Sequence, residues 1–411
     1  MAETTSLPAD ADHDILRPDR VADPFPYFAH MRDNDPVHWN PQYRAWFAYR
    51  HADVIKALRD PALSSDRVRP IYESKLSAQE QAERKPTFDI LGDWMVFLDP
   101  PEHTRLRKLV LPAFSAGSVE RMRPRVESVV KSTVDALADR SRFDLVTDFA
   151  YPIPAVVIAE LMGVPPADRD LFKAWSDQIL VLVFGAAGNA ERRSEAQRGL
   201  VELADYLRGL VARFRADPGD NLISRMLNST ETDPPLTDDE LVATCVLLVF
   251  GGHETTTNLI ANGFRSLCRN PGQLARLRAE PDLMRKAVEE LLRYDGPSKM
   301  EVRRVAADTE LGGRTLRPGE QVYLVQASAN RDADAFERAD ELILDRTPNR
   351  HVSFGFGIHH CIGNFLARLE ASVALGTLIR NVPELELDPD VPESWHATLI
   401  SRGMHHLGVR R

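Results

Sequence analysis

Along most of this chain apolar residues recur three and four apart, the period of an amphipathic helix. That spacing predicts helices over Phe25–Asp33, Ala52–Leu58, Glu102–Phe114, Val119–Ala138, Pro152–Met162, Asp168–Val183, Ala190–Asp217, Asn221–Leu227 and Asp238–Arg269. Alternation of period two is rarer. It marks Val37–Tyr49 and Thr309–Gln326 as hairpins, the second with corners at Gly312-Gly313 and Pro318-Gly319. Arg67–Trp94 mixes charges, prolines and isolated apolar residues and reads as a long, adaptable connection between helices. No internal repeat appears. Residues 1–24 read as a short frayed arm and residues 25–411 as one domain, mainly helical with a small β-rich lobe.

Two stretches depart from the pattern. Thr237-x-x-Glu240 is a capping box with no proline until Pro271, so a helix of about 48 Å is expected at 1.5 Å per residue. Its middle carries Gly251-Gly252-His253-Glu254-Thr255-Thr256-Thr257-Asn258. A glycine costs about 1 kcal/mol against alanine there, so the pair needs a compensating reason. One reading is close packing of a second helix over the glycines, and the other is a groove widened beside a bound cofactor. The second stretch is Phe354-Gly355-Phe356-Gly357-Ile358-His359-His360-Cys361-Ile362-Gly363, followed by the amphipathic Asn364–Val373. Three glycines in ten residues let a backbone lie flat against a ligand, and the helix start beside Cys361 favours a thiolate over a thiol.

Composition narrows the function classes. The 411 residues are 43% hydrophobic and 27% charged, which describes a globular protein with ample core and excludes disorder, collagen and a disulfide scaffold. A net charge of −10 argues against a nucleic-acid partner. Cys245, Cys268 and Cys361 lie far apart, which points to a reducing compartment, the cytoplasm. The longest apolar runs, Ile179–Gly188 and Cys245–Gly252, fall short of the roughly 18 residues a bilayer requires, so no membrane anchor is expected. The opening residues, MAETTSLPADADHD, lack a secretory signal pattern. His253 and His360 match no compact zinc spacing; His253 is expected to pack against a neighbouring helix and His360 to face solvent.

Phe-Gly-x-Gly-x-His-x-Cys-x-Gly matches, at every fixed position, the haem-ligand loop of the cytochrome P450 superfamily. Three further motifs follow the superfamily's order: Pro100-Pro101-Glu102-His103-Thr104-Arg105-Leu106-Arg107, Gly251-Gly252-His253-Glu254-Thr255 and Glu290-Leu291-Leu292-Arg293. The chain resembles that superfamily over essentially its whole length, and its soluble bacterial members in particular. The resemblance implies a triangular helical prism enclosing haem b, with Cys361 as axial ligand of the iron. It makes Phe354, Gly355, Gly363 and Gly251 cofactor contacts, and His103, Arg107, Arg303 and His359 the propionate partners, although adjacent Arg303 and Arg304 are not distinguished by sequence. It implies Glu254 and Thr255 as the acid and alcohol that bring protons to dioxygen, so that the O–O bond breaks heterolytically. Glu290 and Arg293, joined by Arg346, would brace the ligand loop.

The activity implied is monooxygenation of a small to medium apolar molecule, by hydroxylation or epoxidation. Two alternatives stand beside it: peroxide-driven or redox-neutral haem-thiolate chemistry, and a catalytically silent haem or ligand-binding protein. No flavin, dinucleotide or iron–sulfur signature is present, so electrons from NAD(P)H are expected through a ferredoxin and its reductase. Arg105, Lys108, Arg121, Arg123 and Arg350 would receive the ferredoxin. A monomer is expected. Segments that line the substrate pocket in similar proteins correspond here to Trp94, Met95, Val96, Leu180, Phe184, Leu247, Gly251, Ser298, Lys299, Met300 and Ile400. Lys299 is unexpected at such a place, and would anchor a carboxylate or pair with Glu301.

Overall fold

The computed structural model describes residues 13–169, 171–172, 174–175, 178–179, 190–229 and 234–411. Leu180, Phe184 and residues 1–12 of the expected arm lie outside them. The described chain divides into two compact units where the sequence predicts one domain. The first comprises 13–64, 130–151 and 255–411; the second comprises the described residues of 65–129 and 152–254.

The first unit holds the sheets. Five strands run in the order Val37–Asn40, Ala45–Ala48, Gln321–Leu324, Glu301–Val305 and Leu63–Ser64. The first pair is antiparallel with Val37 opposite Ala48, whereas Ala45–Ala48 and Gln321–Leu324 are parallel, with Phe47 opposite Tyr323. Those two rings stack at 4.7 Å between centroids. The hairpin predicted over 309–326 forms only in its first half: Thr309–Leu311 pairs with Arg314–Leu316 around Gly312 and Gly313, both at positive φ. After Pro318-Gly319 the chain leaves for Glu301–Val305, so the second corner closes no hairpin. Residues 13–24 are ordered rather than frayed, since Ile15 is buried with Phe28 and Met31 and Arg402 donates to the carbonyls of Val21 and Ala22.

The second unit is helical. Arg67–Trp94, expected as a connection, carries helices at Arg69–Lys75 and Ala78–Gly92. Ser77 and Glu80 form a capping box that opens the longer one, a local signal that sequence reading passed over. The predicted helix Glu102–Phe114 is helical through Val110 and then tightens into a 3₁₀ turn, Leu111–Phe114, at Pro112. Among the described residues one helical stretch, Leu145–Met162, reaches the length and composition of a membrane span, and 56% of it is buried inside the fold. Its α-helical part, Pro152–Met162, follows a π-helical turn over Leu145–Ala150 and buries Ile153, Val157, Ile158, Ala159 and Met162 as a core helix does.

One helix, Asp238–Arg269, runs uninterrupted over 32 residues, and the division of units falls within it after Glu254. Thr237 and Glu240 exchange the two predicted capping bonds, at 2.9 and 3.2 Å. Glu240 also accepts from Arg105, which is half-buried. Arg123 is likewise committed, to Glu120 at 2.5 Å. Two of the five cations expected to receive a redox partner are therefore neutralised within the chain.

Candidate active site

The ligand loop is fixed by its own backbone. Gly355 and Gly357 adopt φ of 69° and 74°, values that L side chains rarely take. A Cβ on Gly355 would also stand 2.5 Å from Glu301 Oε1, and one on Gly357 would stand 3.0 Å from the Leu58 carbonyl oxygen. The loop thus turns back so that the Cys361 N–H donates to the Phe354 carbonyl at 2.8 Å. Helix Asn364–Asn381 starts three residues later, with Gly363 at its N-cap, and Asn364 Nδ2 donates to the Cys361 carbonyl at 2.8 Å. Cys361, His359 and His360 are half-buried, so His360 is less open than predicted.

Two carboxylates on helix Met284–Asp295 hold segments that flank this loop. Glu290 is fully buried and accepts a bidentate pair from Arg293, both bonds at 2.8 Å. Arg346 Nε donates to both its oxygens at 3.1 Å, the Ile343 N–H donates at 2.9 Å and Asn349 Nδ2 at 3.2 Å. The structure thus brings Glu290, Arg293 and Arg346 together. Spare donors of the two arginines go to backbone carbonyls of Asn330, Ala339 and Glu341. Neighbouring Glu289 is a second brace that sequence reading missed. It accepts from His351 at 3.0 Å and from Arg368 at 2.6 and 3.0 Å, and the Arg368 guanidinium lies 4.4 Å from the Phe354 ring centre. Burial alone would raise the Glu289 pKa, but these two donors hold it below the usual carboxylate range. Its sequence signal was the doubled acid Glu289-Glu290.

Arg303 is the more buried of the two adjacent arginines, and it is engaged: Nη2 meets Glu301 at 2.9 Å and Nη1 the Val302 carbonyl at 3.0 Å. Arg304 is half-buried on the opposite face of the strand. In the second unit His103 and Arg107 share helix Glu102–Val110. His103 is buried, and burial, followed by the Arg107 guanidinium, pushes its pKa down to about 4, which keeps the imidazole neutral at pH 7.

On helix Asp238–Arg269 the two glycines stand in different surroundings. A Cβ on Gly252 would press against Ile158 Cδ1 at 3.2 Å, the close packing of a second helix. A Cβ on Gly251 would meet nothing within 4 Å among the described residues, one residue earlier on the same helix. Glu254 is buried and Thr255 half-buried, and His253 Nδ1 lies 3.0 Å from the Val249 carbonyl. The following residue, Thr256, bonds to Glu370, a fully buried carboxyl on helix Asn364–Asn381 that sequence reading also missed. Burial pushes Glu370 up to about 8, with the Thr256 bond opposing.

The expected pocket residues fare unequally. Trp94 is fully buried between Phe97 and Phe250, and its indole N–H meets no acceptor among the described residues. Met95 and Leu247 are buried, Val96 is exposed, and Ser298 and Ile400 are half-buried. Met300 is a correction: it packs with Phe28, Phe47 and Tyr49 in the core of the β-rich unit. Pairing of Lys299 with Glu301 is a second, because Arg303 and Gln326 occupy Glu301 while Lys299 Nζ donates to the Thr398 carbonyl. A cavity of about 790 Å³ in the helical unit is lined by Tyr72, Phe88, Ile90, Val201 and Val242 together with Arg69, Lys85 and Arg208, and by none of the expected residues.

The cytochrome P450 family profile matches residues 64–397. Cytochrome P450 107B1 of Saccharopolyspora erythraea is 42% identical over 371 residues, 89% of each chain. The vitamin D(3) 25-hydroxylase of Pseudonocardia autotrophica is 37% identical and covers 100% of this chain and 98% of its own. Among solved structures, the cytochrome P450 PksS of the bacillaene polyketide synthase of Bacillus subtilis 168 matches with a TM-score of 0.87 at 32% identity, over 97% of this chain and 99% of that one.

Proposed function

The chain belongs to the cytochrome P450 family and is a monooxygenase of it, and from that premise we propose that Cys361 ligates the iron of haem b and that the enzyme oxygenates a hydrophobic organic molecule. The observation that carries this reading is the ligand loop, whose two left-handed glycines and doubly bonded Cys361 backbone present one thiol at the start of a helix. The surrounding donors fit the group: a soft sulfur for iron, and arginine and histidine side chains for two propionates. The space at Gly251 among the described residues fits a flat ligand passing beside the helix. Haem, when bound, supplies the activation of dioxygen.

The residues divide the remaining work. Phe354, Gly355 and Gly363 shape the loop around the thiolate, and Glu290, Arg293 and Arg346 keep it in place. His103, Arg107 and His359 neutralise the propionates; Arg303 is already held by Glu301, and Arg304, on the other face of the same strand, is the alternative at that position. An anion beside His103 would raise its pKa back toward the ordinary range. Thr255 orients a proton with its hydroxyl, and the Glu254 carboxyl replaces it from solvent. Electrons come from NAD(P)H through a ferredoxin and its reductase, and Lys108, Arg121 and Arg350, all exposed, remain as cations for that encounter. Trp94, Met95, Leu247, Ser298 and Ile400 are the proposed contacts of the substrate.

The test is the spectrum of the dithionite-reduced protein under carbon monoxide. A red-shifted thiolate-type Soret band is expected, and a band typical of histidine or neutral-thiol ligation would overturn the assignment. Thr255→Ala is then expected to divert most of the NAD(P)H consumed into hydrogen peroxide, measured as product per NAD(P)H. Unchanged coupling in that variant, with turnover supported by peroxide alone, would favour the peroxide-driven reading.

A further inference from the structure

We propose that the buried ammonium of Lys299 is a carboxylate-recognition point, so that the favoured substrates are apolar acids rather than neutral hydrocarbons. The inference deepens the monooxygenase reading and rests on it.

The backbone around Lys299 is held in place on both sides. Its N–H donates to the Ile400 carbonyl at 2.6 Å, the Arg402 N–H donates to the Pro297 carbonyl at 2.8 Å, and Ser298 bridges Ser401. Successive side chains of an extended segment point to opposite faces. Met300 enters the apolar cluster of Phe28 and Phe47, which sends Lys299 the other way, toward the turn at Thr398. The side chain is buried there, 4% exposed.

An ammonium carries three donors, and the one acceptor that Lys299 Nζ meets among the described residues is the uncharged Thr398 carbonyl. No carboxylate of the described chain compensates the charge. Glu301 is occupied by Arg303 and Gln326, and Asp295 by Arg402 at 2.7 Å and Arg265 at 3.4 Å. The charged neighbour that Lys299 does sense is another cation, Arg402, itself 3% exposed. His396 stands near as a neutral imidazole, since burial, followed by His405, pushes its pKa down to about 4, and it supplies no charge to Lys299. A buried charge without a partner is strongly unfavourable, and Arg402 already has Asp295, so Lys299 is the buried cation that lacks a carboxylate and offers a site for an anion. Burial and Arg402 push the free amine down to about 7, and a bound carboxylate would restore its proton. A carboxylate accepts two N–H bonds and supplies the missing charge; an ester or alcohol supplies neither charge nor proton uptake.

The haem-loaded full chain is titrated in its ferric state with straight-chain acids from decanoic to hexadecanoic acid and with their methyl esters, and binding is read from the spin-state shift. At least one acid is expected to bind the wild-type protein roughly tenfold or more tightly than its ester. Lys299→Met should bring acid and ester to parity while Lys299→Arg keeps the preference. Acid affinity should also fall about tenfold per pH unit above pH 7 in the wild type and not in Lys299→Met, because binding then requires proton uptake by the amine. Parity in the wild type, a preference kept in Lys299→Met, or no response to any acid overturns the proposal. A thiolate-type carbon monoxide spectrum in all three proteins shows that such a failure belongs to Lys299 and not to the monooxygenase assignment.

Discussion

Glu290 and Glu370 are both fully buried carboxyls in the same unit, on the helices Met284–Asp295 and Asn364–Asn381. Around Glu290 stand two guanidiniums, an amide and a backbone N–H. Around Glu370 stands one threonine hydroxyl, and its second oxygen has no partner among the described residues. Burial is common to both, and the cations brought by other segments are what differs. The first carboxyl is an anion that ties its helix to residues 343–349; the second, pushed up to about 8, keeps its proton at neutral pH. Lys299 is the same problem with the sign reversed.

Removing the Glu290 charge breaks the comparison most severely. Glu290→Ala leaves Arg293 and Arg346 buried without their anion, a loss of about 3–5 kcal/mol. The haem-to-protein ratio of the purified variant and its melting temperature should both collapse. Next is the pH dependence set by Glu370. Its folded pKa, about 8, lies above the ordinary carboxyl value of 4.5. The folded state therefore holds the proton longer, and the stabilisation present below pH 4.5 is lost as pH rises toward 8. Wild-type melting temperature should fall across that window relative to Glu370→Gln, whose amide has no proton to lose; parallel curves would show Glu370 ionised like Glu290. A finer probe is Asn349→Ala, which removes one of the donors to Glu290 and should cost about 1 kcal/mol in denaturant unfolding. Smallest is Lys85→Ala, which breaks a pair with Asp89 at 2.7 Å between side chains 62% and 59% exposed, and should leave the midpoint unchanged.

Local signals were legible wherever neighbours in sequence do the work. The spacing of Gly355, Gly357, Cys361 and Gly363 marked a loop that the backbone then realises with two positive φ values. Thr237 and Glu240 marked the start of the longest helix to the residue. The same logic would have found the helix at Ala78, since Ser77 and Glu80 are an equally local capping box, but the surrounding charges and Pro86 obscured it. Pro318-Gly319 misled for the opposite reason: a corner was present, but the strand that followed it found its partners at Glu301–Val305 and Ala45–Ala48. Arg105 read as a surface cation and became the partner of Glu240, 135 positions away.

Sequence by itself determined the family, the thiol and the helices that present it, because those depend on backbone conformation and on residues a few positions apart. Tertiary structure decided which buried groups are charged. Glu290 meets Arg346 across 56 positions, Lys299 meets Thr398 across 99, and Glu370 meets no cation among the described residues. A charge in a low-dielectric interior is set by the counter-charge within a few ångströms, and that neighbour is chosen by the folded chain rather than by the residues beside it in sequence.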